Sequence, residues 1–237
     1  MNRKELDGYI KELYAKNNYA GIVELCPPDA DFLDGDSLEI RTKVVWSWHH
    51  NLKNQERDKK ISEDTAAHVR DQILMVIGRA TADFPDDPEL VDIEKLLPLT
   101  LADLGPNRID DALAEYERLA KKYSENGDLM TDKVVLLVKI KKFEEALLEA
   151  VRARGIELFL AQRNDLLPVE TKRHLRFAGN LARWIAICSK ELFGAKFGIG
   201  WLDVAIANWC DSESEGWKAS NHINGALELR TKWLKEI

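Results

Sequence analysis

The chain has 237 residues, 45% hydrophobic and 32% charged, a composition that excludes a disordered polymer and suits a folded chain with one good core or two small ones. No apolar run approaches the roughly 18 residues of a membrane span, so a cytoplasmic protein with no membrane association is expected. The net charge of -7 is uneven: residues 1–150 hold 21 Lys and Arg against 31 Asp and Glu, and residues 151–237 hold 13 against 10. A chain that is acidic overall repels phosphate at long range, so nucleic acid is not an expected partner.

In chain order the pattern is helical nearly throughout. Leu6, Tyr9, Ile10 and Leu13 recur at spacings of three and four, which places them on one helical stripe. A short helix from Tyr19 to Cys26 stops at Pro27-Pro28, because proline cannot continue the hydrogen-bond ladder. Residues 29–36 read as a loop, and Asp36 with Glu39 offers a capping box for a helix carrying Val44, Val45 and Trp48. A long helix from about Glu63 to Ala82 ends at Phe84-Pro85. Three more are expected within 89–155, including the β-branched segment Lys133 to Val138, with breaks near Gly105-Pro106 and Asn126-Gly127. A helix to about Arg163, a break before Pro168, a strong helix from Glu170 to Leu192 and an interruption from Gly194 to Gly200 follow. The last helices carry Trp201, Trp209, Trp217 and Trp233. Cys26, Cys188 and Cys210 are odd in number and widely spaced, so buried thiols are expected in place of a disulfide or zinc framework.

Two segments align 34 residues apart, Ile109-Asp110-Asp111-Ala112-Leu113 and Phe143-Glu144-Glu145-Ala146-Leu147. A period of that length marks stacked helix pairs that bury their apolar faces on one another. Residues 107–155 resemble tetratricopeptide repeats: Ile109 and Phe143 take the large apolar position after the turn, Ala112 and Ala146 the small one, and Tyr116 the later aromatic. Ala150 at the equivalent aromatic position, Ser124 in place of the closing proline, Lys133 at an apolar position and Pro98 within the preceding helix depart from the pattern. Residues 18–25 look like a truncated copy with Ile22 in place of alanine.

The resemblance implies an all-α fold of antiparallel helix pairs, a repeat-like region over 1–155 and a tryptophan-rich C-terminal segment over 156–237 that packs on it. It also implies a concave groove that holds a partner segment, lined by Glu94, Leu97, Leu101 and Leu104 in one repeat and by Asp128, Thr131, Val135, Val138 and Lys139 in the next. Five of these nine are Leu or Val, so a cover is expected, either the C-terminal segment or an amphipathic partner helix.

Signals for chemistry are weak. His49 and His50 point about 100° apart on a helix, and Asp64, His68 and Asp71 share a face without a His-Glu-x-x-His arrangement. Asp29, Asp31, Asp34 and Asp36 miss the register of a calcium loop and read as turn and cap residues. Gly194, Gly198 and Gly200 lack the ending of a phosphate loop and suggest a hinge or a close helix approach. Nine basic residues face four acidic ones between Arg152 and Lys196, a stretch that fits a solvated face, an acidic partner or docking on the acidic remainder. Neither a cofactor nor a metal is expected.

The expected function is a protein-protein interaction module, an adaptor, chaperone-like or inhibitory protein, whose partner is a net basic or amphipathic protein or peptide segment. The alternative is a helical enzyme, metal-dependent or not, with its site near His49, His68 and the acidic loop 29–36. A regulatory domain that holds a small apolar ligand among the tryptophans is the third reading.

Overall fold

Side-chain caps and prolines cut the chain into its elements. In a computed structural model that describes residues 2–124, 126–214 and 217–237, every regular element is helical, and the one β feature among the described residues is an isolated bridge between Ser214 and Trp217. No helix among them is long and apolar enough to cross a membrane. The chain forms two compact units, Met1–Leu119 and Ala120–Ile237. The boundary expected at residue 155 falls within a continuous helix, where Gly155 meets open space and costs only the roughly 1 kcal/mol of a mid-helix glycine.

The first unit holds α1 (Arg3–Ala15), α2 (Tyr19–Leu25), α3 (Leu38–Arg57), α4 (Glu63–Asp83), α5 (Val91–Glu94), α6 (Leu96–Asp103) and most of α7 (Ile109–Lys122). Asn2, Asn18 and Ser62 cap α1, α2 and α4 by accepting from backbone N–H groups of the first turn. The cap of α3 is Ser37, which accepts from Ile40 N, and not Asp36. Asp36 instead accepts from Arg3 Nε at 2.8 Å, an ion pair that fixes α1 against the loop. That loop closes into a 3-10 turn at Ala30–Leu33. Pro98 lacks the N–H that would reach Glu94 O, so the helix expected there breaks into α5 and α6. The core gathers Ile10, Ile22, Val44, Trp48, Ile73, Ile77 and Leu96, and Trp48 Nε1 donates to Cys26 O at 2.7 Å.

The second unit holds α8 (Gly127–Lys139), α9 (Phe143–Ala161), α10 (Pro168–Phe193), α11 (Ala195–Ser212) and α12 (Ser220–Leu234). α10 is its axis, in contact with α8, α9 and α11. Ala150, Ala153, Val134, Leu181 and Ile185 form one cluster, and Trp209, Trp233, Leu202, Ala182 and Ala186 form another. Ala146 is buried as the repeat pattern asks, but Phe143 is only half-buried. Cys26 and Cys188 are buried, whereas Cys210 is exposed. The chain turns at Gly194 alone, and both Gly198 and Gly200 lie inside α11. A Cβ at Gly198 would stand 2.7 Å from Ala186 O, so this glycine sets how closely α11 approaches α10.

Two outcomes follow from packing and burial. Gly198→Ala is expected to destabilise by about 1–3 kcal/mol through overpacking, whereas Gly200→Ala, in open space, gains up to about 1 kcal/mol; equal effects in urea unfolding would contradict the close approach. His49, on α3, is buried, and burial pushes its pKa down to about 4, so the folded imidazole stays neutral while the unfolded one takes up a proton below about 6.5. Stability is therefore lost as pH falls from about 6.5 to 4, by about 3 kcal/mol. His49→Gln should flatten that part of the pH profile, and parallel profiles for the two proteins would rule out the assignment.

Candidate functional site

The first turns of α10 carry two neighbouring stripes of cleft-lining residues. Glu170, Arg173, His174 and Phe177 recur at spacings of three, one and three, and Val169, Lys172, Arg173 and Arg176 form the neighbouring stripe. With Tyr123, Ser124, Asn126 and Gly127 the first stripe encloses an open cleft of about 440 Å³. With Ser212, Ser214 and Trp217 the second bounds another of about 260 Å³. Glu170 and Arg173 line both, so the clefts adjoin. A cleft of several hundred Å³ suits a ligand group or a peptide side chain.

Beneath the larger cleft lies a buried carboxylate. Glu157 of α9 is 0% exposed, and its Oε2 is 2.8 Å from His174 Nδ1. Its other oxygen, Oε1, has no hydrogen-bond partner among the described residues. Burial pushes the Glu157 carboxyl upward; His174 and Arg173 draw it back, and Asp128 adds to the rise. Gly127 makes room for the pair, because a Cβ there would lie 2.4 Å from Glu157 Oε1 and 2.8 Å from Phe177 Cδ2. Asn126 starts α8 at this point by accepting from Leu129 N at 3.0 Å.

The cations of the stripe are differently placed from those of the first unit. There Arg79 donates to Asp31 and Asp34 at 2.8 Å each, Arg41 pairs with Asp83 at 2.6 Å, and Arg70 pairs with Glu56. Lys172, by contrast, donates to the carbonyl of Glu213 at 2.5 Å, and Arg176 stands over the rings of Trp217 and Phe177 at 5.5 and 5.3 Å. Arg173 also faces the Phe177 ring, at 5.6 Å. No ion pair to a described carboxylate is formed by Lys172, Arg173 or Arg176.

The nine residues expected to line a groove fall in both units. Glu94 and Leu101 are buried and serve packing: Glu94 Oε1 accepts from Thr81 at 3.4 Å and faces Arg118 at 3.5 Å. Leu97 and Leu104 are half-buried, and Leu97 packs on the core of the first unit. Asp128, Thr131, Val135 and Val138 are half-buried along α8, and Lys139 is exposed at its end. The acidic loop is occupied by ion pairs to Arg79 and Arg3, while Asp64, His68 and Asp71 are exposed on α4. His50 stacks on Tyr19 at 4.6 Å, away from any metal-like arrangement, and no cluster of three His, Cys, Asp or Glu side chains among the described residues is placed to hold a metal.

The Glu157–His174 pair carries a sequence signal that the repeat pattern obscures. Ala146, Ala150, Ala153, Glu157 and Leu160 recur at spacings of four, three, four and three, so the glutamate occupies the buried stripe of α9 and needs a partner there. No protein-family model matches the chain, and no curated protein matches it.

Because Glu157 holds its proton above the usual carboxylate range, the neutral form stabilises the fold fully below about pH 4.5, and that contribution is lost as pH rises through the folded pKa. Glu157→Gln keeps the shape without the charge. Its melting temperature should therefore rise relative to the parent protein between pH 4.5 and 8, and a constant difference over that range would show that the carboxyl is not held neutral by burial.

Proposed function

We propose that the chain is a protein-interaction module, working as an adaptor, chaperone-like protein or inhibitor, that binds an acidic partner segment along the first turns of α10. One observation carries this reading: two adjoining clefts share Glu170 and Arg173 and are bordered by Lys172, Arg173 and Arg176, cations that form no ion pair with a described carboxylate, beside the aromatic faces of Phe177 and Trp217. Apolar and aromatic walls supply contact area, and the cations select sign and direct encounter.

A basic partner was the expectation from the charge of the first 150 residues. Six of those carboxylates pair with Arg3, Arg79, Arg41, Arg70 and Lys53, whereas cations border the clefts of the second unit, which supports an acidic segment at this site. The helix-pair architecture belongs to the same proposal: α8 packs on α9 and α9 on α10, the neighbour-to-neighbour stacking of a tetratricopeptide-like array.

Fluorescence anisotropy with a labelled Asp- and Glu-rich peptide tests the reading. Binding should weaken with added salt, and the Arg173→Glu, Arg176→Glu double variant should weaken it by ~10-fold or more. A lysine-rich peptide that binds more tightly than the acidic one would transfer the site elsewhere.

A further inference from the structure

We infer that the larger cleft is a phosphoryl subsite, which takes the phosphate monoester of a phosphorylated side chain on the partner segment between Arg173 and the Nε2–H of His174. This inference rests on the acidic-segment reading and makes it specific.

The Glu157–His174 contact sets the chemistry. Nδ1 is fixed 2.8 Å from a fully buried carboxylate, so Nε2 is the nitrogen turned away from the pair, on a ring that lines the cleft. With one proton on the pair, ionised Glu157 holds it through Nδ1–H and Nε2 is an acceptor. With two, whether as carboxyl and neutral imidazole or as carboxylate and imidazolium, Nε2 becomes a donor. An anion in the cleft therefore selects the two-proton form, and binding draws a proton from solvent.

Other groups on the cleft agree with an oxyanion. Arg173 stands one residue before His174 on the same stripe, and its forked guanidinium can hold two oxygens at once. Ser124 supplies a hydroxyl, and Asn126, whose Oδ1 is used by Leu129 N, keeps its amide N–H groups. Asp128 from α8 and Arg173 from α10 bear on the pair, and Tyr123, just past the preceding helix, and Glu170 from α10 are the other titratable groups on the cleft. Glu170 opposes an anion, but its carboxylate accepts from Leu167 N at 2.8 Å, and Asp128 favours retention of the pair's proton. Arg173 lies on the larger cleft itself and Lys172 and Arg176 on the adjoining one, and this local excess of positive charge suits a group of about -1.5 to -2 charge with three acceptor oxygens.

Isothermal titration of the full chain distinguishes the outcomes, with a 12-residue acidic peptide bearing one phosphoserine, its unphosphorylated form and vesicles containing phosphatidylserine as probes. Each is run at pH 6 and 8 in two buffers of different ionisation heat. The phosphorylated peptide should bind ~10-fold or more tightly than the unphosphorylated one, with net proton uptake. Arg173→Ala, at an exposed position, should remove most of that preference, and His174→Gln the proton uptake. In the parent protein, nitrogen NMR of the histidine side chains should show one Nε2 becoming protonated when inorganic phosphate is added. Equal affinity for the two peptides overturns the phosphoryl subsite and leaves the acidic-segment reading in place, and absence of binding by both overturns the two together. Phosphate selectivity without proton uptake removes His174 from the subsite, and tighter binding to vesicles than to the phosphopeptide replaces the segment with a membrane surface.

Discussion

The second unit is organised around a carboxylate buried where water cannot reach it. An isolated charge in that position costs several kcal/mol, so Glu157 has to be neutral or paired, and His174 stands at hydrogen-bond distance from it. The requirement reaches three helices. α9 supplies the carboxylate, α10 the imidazole, and α8 must begin with Gly127, because any side chain there would collide with Oε1. One interaction thus fixes the register of α8 against α9 and α10 and orients the ring that opens on the larger cleft. A buried ion pair is a poor source of stability compared with apolar residues of the same volume. Its physical consequence here is directional: it leaves Nε2 as the imidazole nitrogen outside the pair.

The arginines of the first unit and the cations beside the clefts handle charge in opposite ways. In the first, arginines close on carboxylates: Arg79 bridges Asp31 and Asp34, Arg3 reaches Asp36, and Arg41 passes through the core to Asp83 with its guanidinium over Phe84. These pairs tie loops to helices, and each cation is spent on shape. In the second unit Lys172, Arg173 and Arg176 rest against a carbonyl and aromatic rings, partners that orient a cation without cancelling its charge. Lys172, Arg173 and Arg176 therefore border the clefts without an ion pair to a described carboxylate, although the chain as a whole is acidic.

Local signals made most of the fold legible. The stops at Pro27-Pro28 and Phe84-Pro85, the breaks before Gly127 and Pro168 and the helical reading of Lys133 to Val138 agree with the elements found, because caps, prolines and periodicity act within a few residues. Misreadings arose where a distant partner decided the matter. Asp36 resembles a cap in sequence, yet Arg3, thirty-three residues earlier, claims it and Ser37 caps the helix. Gly198 looks like a breaker, yet the approach of Ala186 and Trp233 keeps it helical. The site was half legible. The basic run that includes residues 172–176 stands out, but the wall opposite comes from Tyr123, Ser124, Asn126 and Gly127, some fifty positions earlier, and no local pattern links them.

Three of the departures from the repeat pattern, Lys133, Ala150 and Ser124, lie in the second unit. Lys133, at a position the tetratricopeptide pattern keeps apolar, pairs with Glu149 at 2.9 Å and so joins α8 to α9 by charge where the pattern would use packing. Ala150, at an aromatic position, is fully buried in the cluster with Leu181 and Ile185, and its small volume brings α9 close to α10. Ser124, at the position of the closing proline, lines the larger cleft with a hydroxyl. Each change loosens the demands of uniform stacking and favours the close approach of α8, α9 and α10 around Glu157. A helix pair that served only to stack would gain nothing from a charged residue on its buried stripe, a glycine at its first turn and a hydroxyl at its closing turn. Together these residues leave an imidazole, an arginine and a space of about 440 Å³ at one end of the unit.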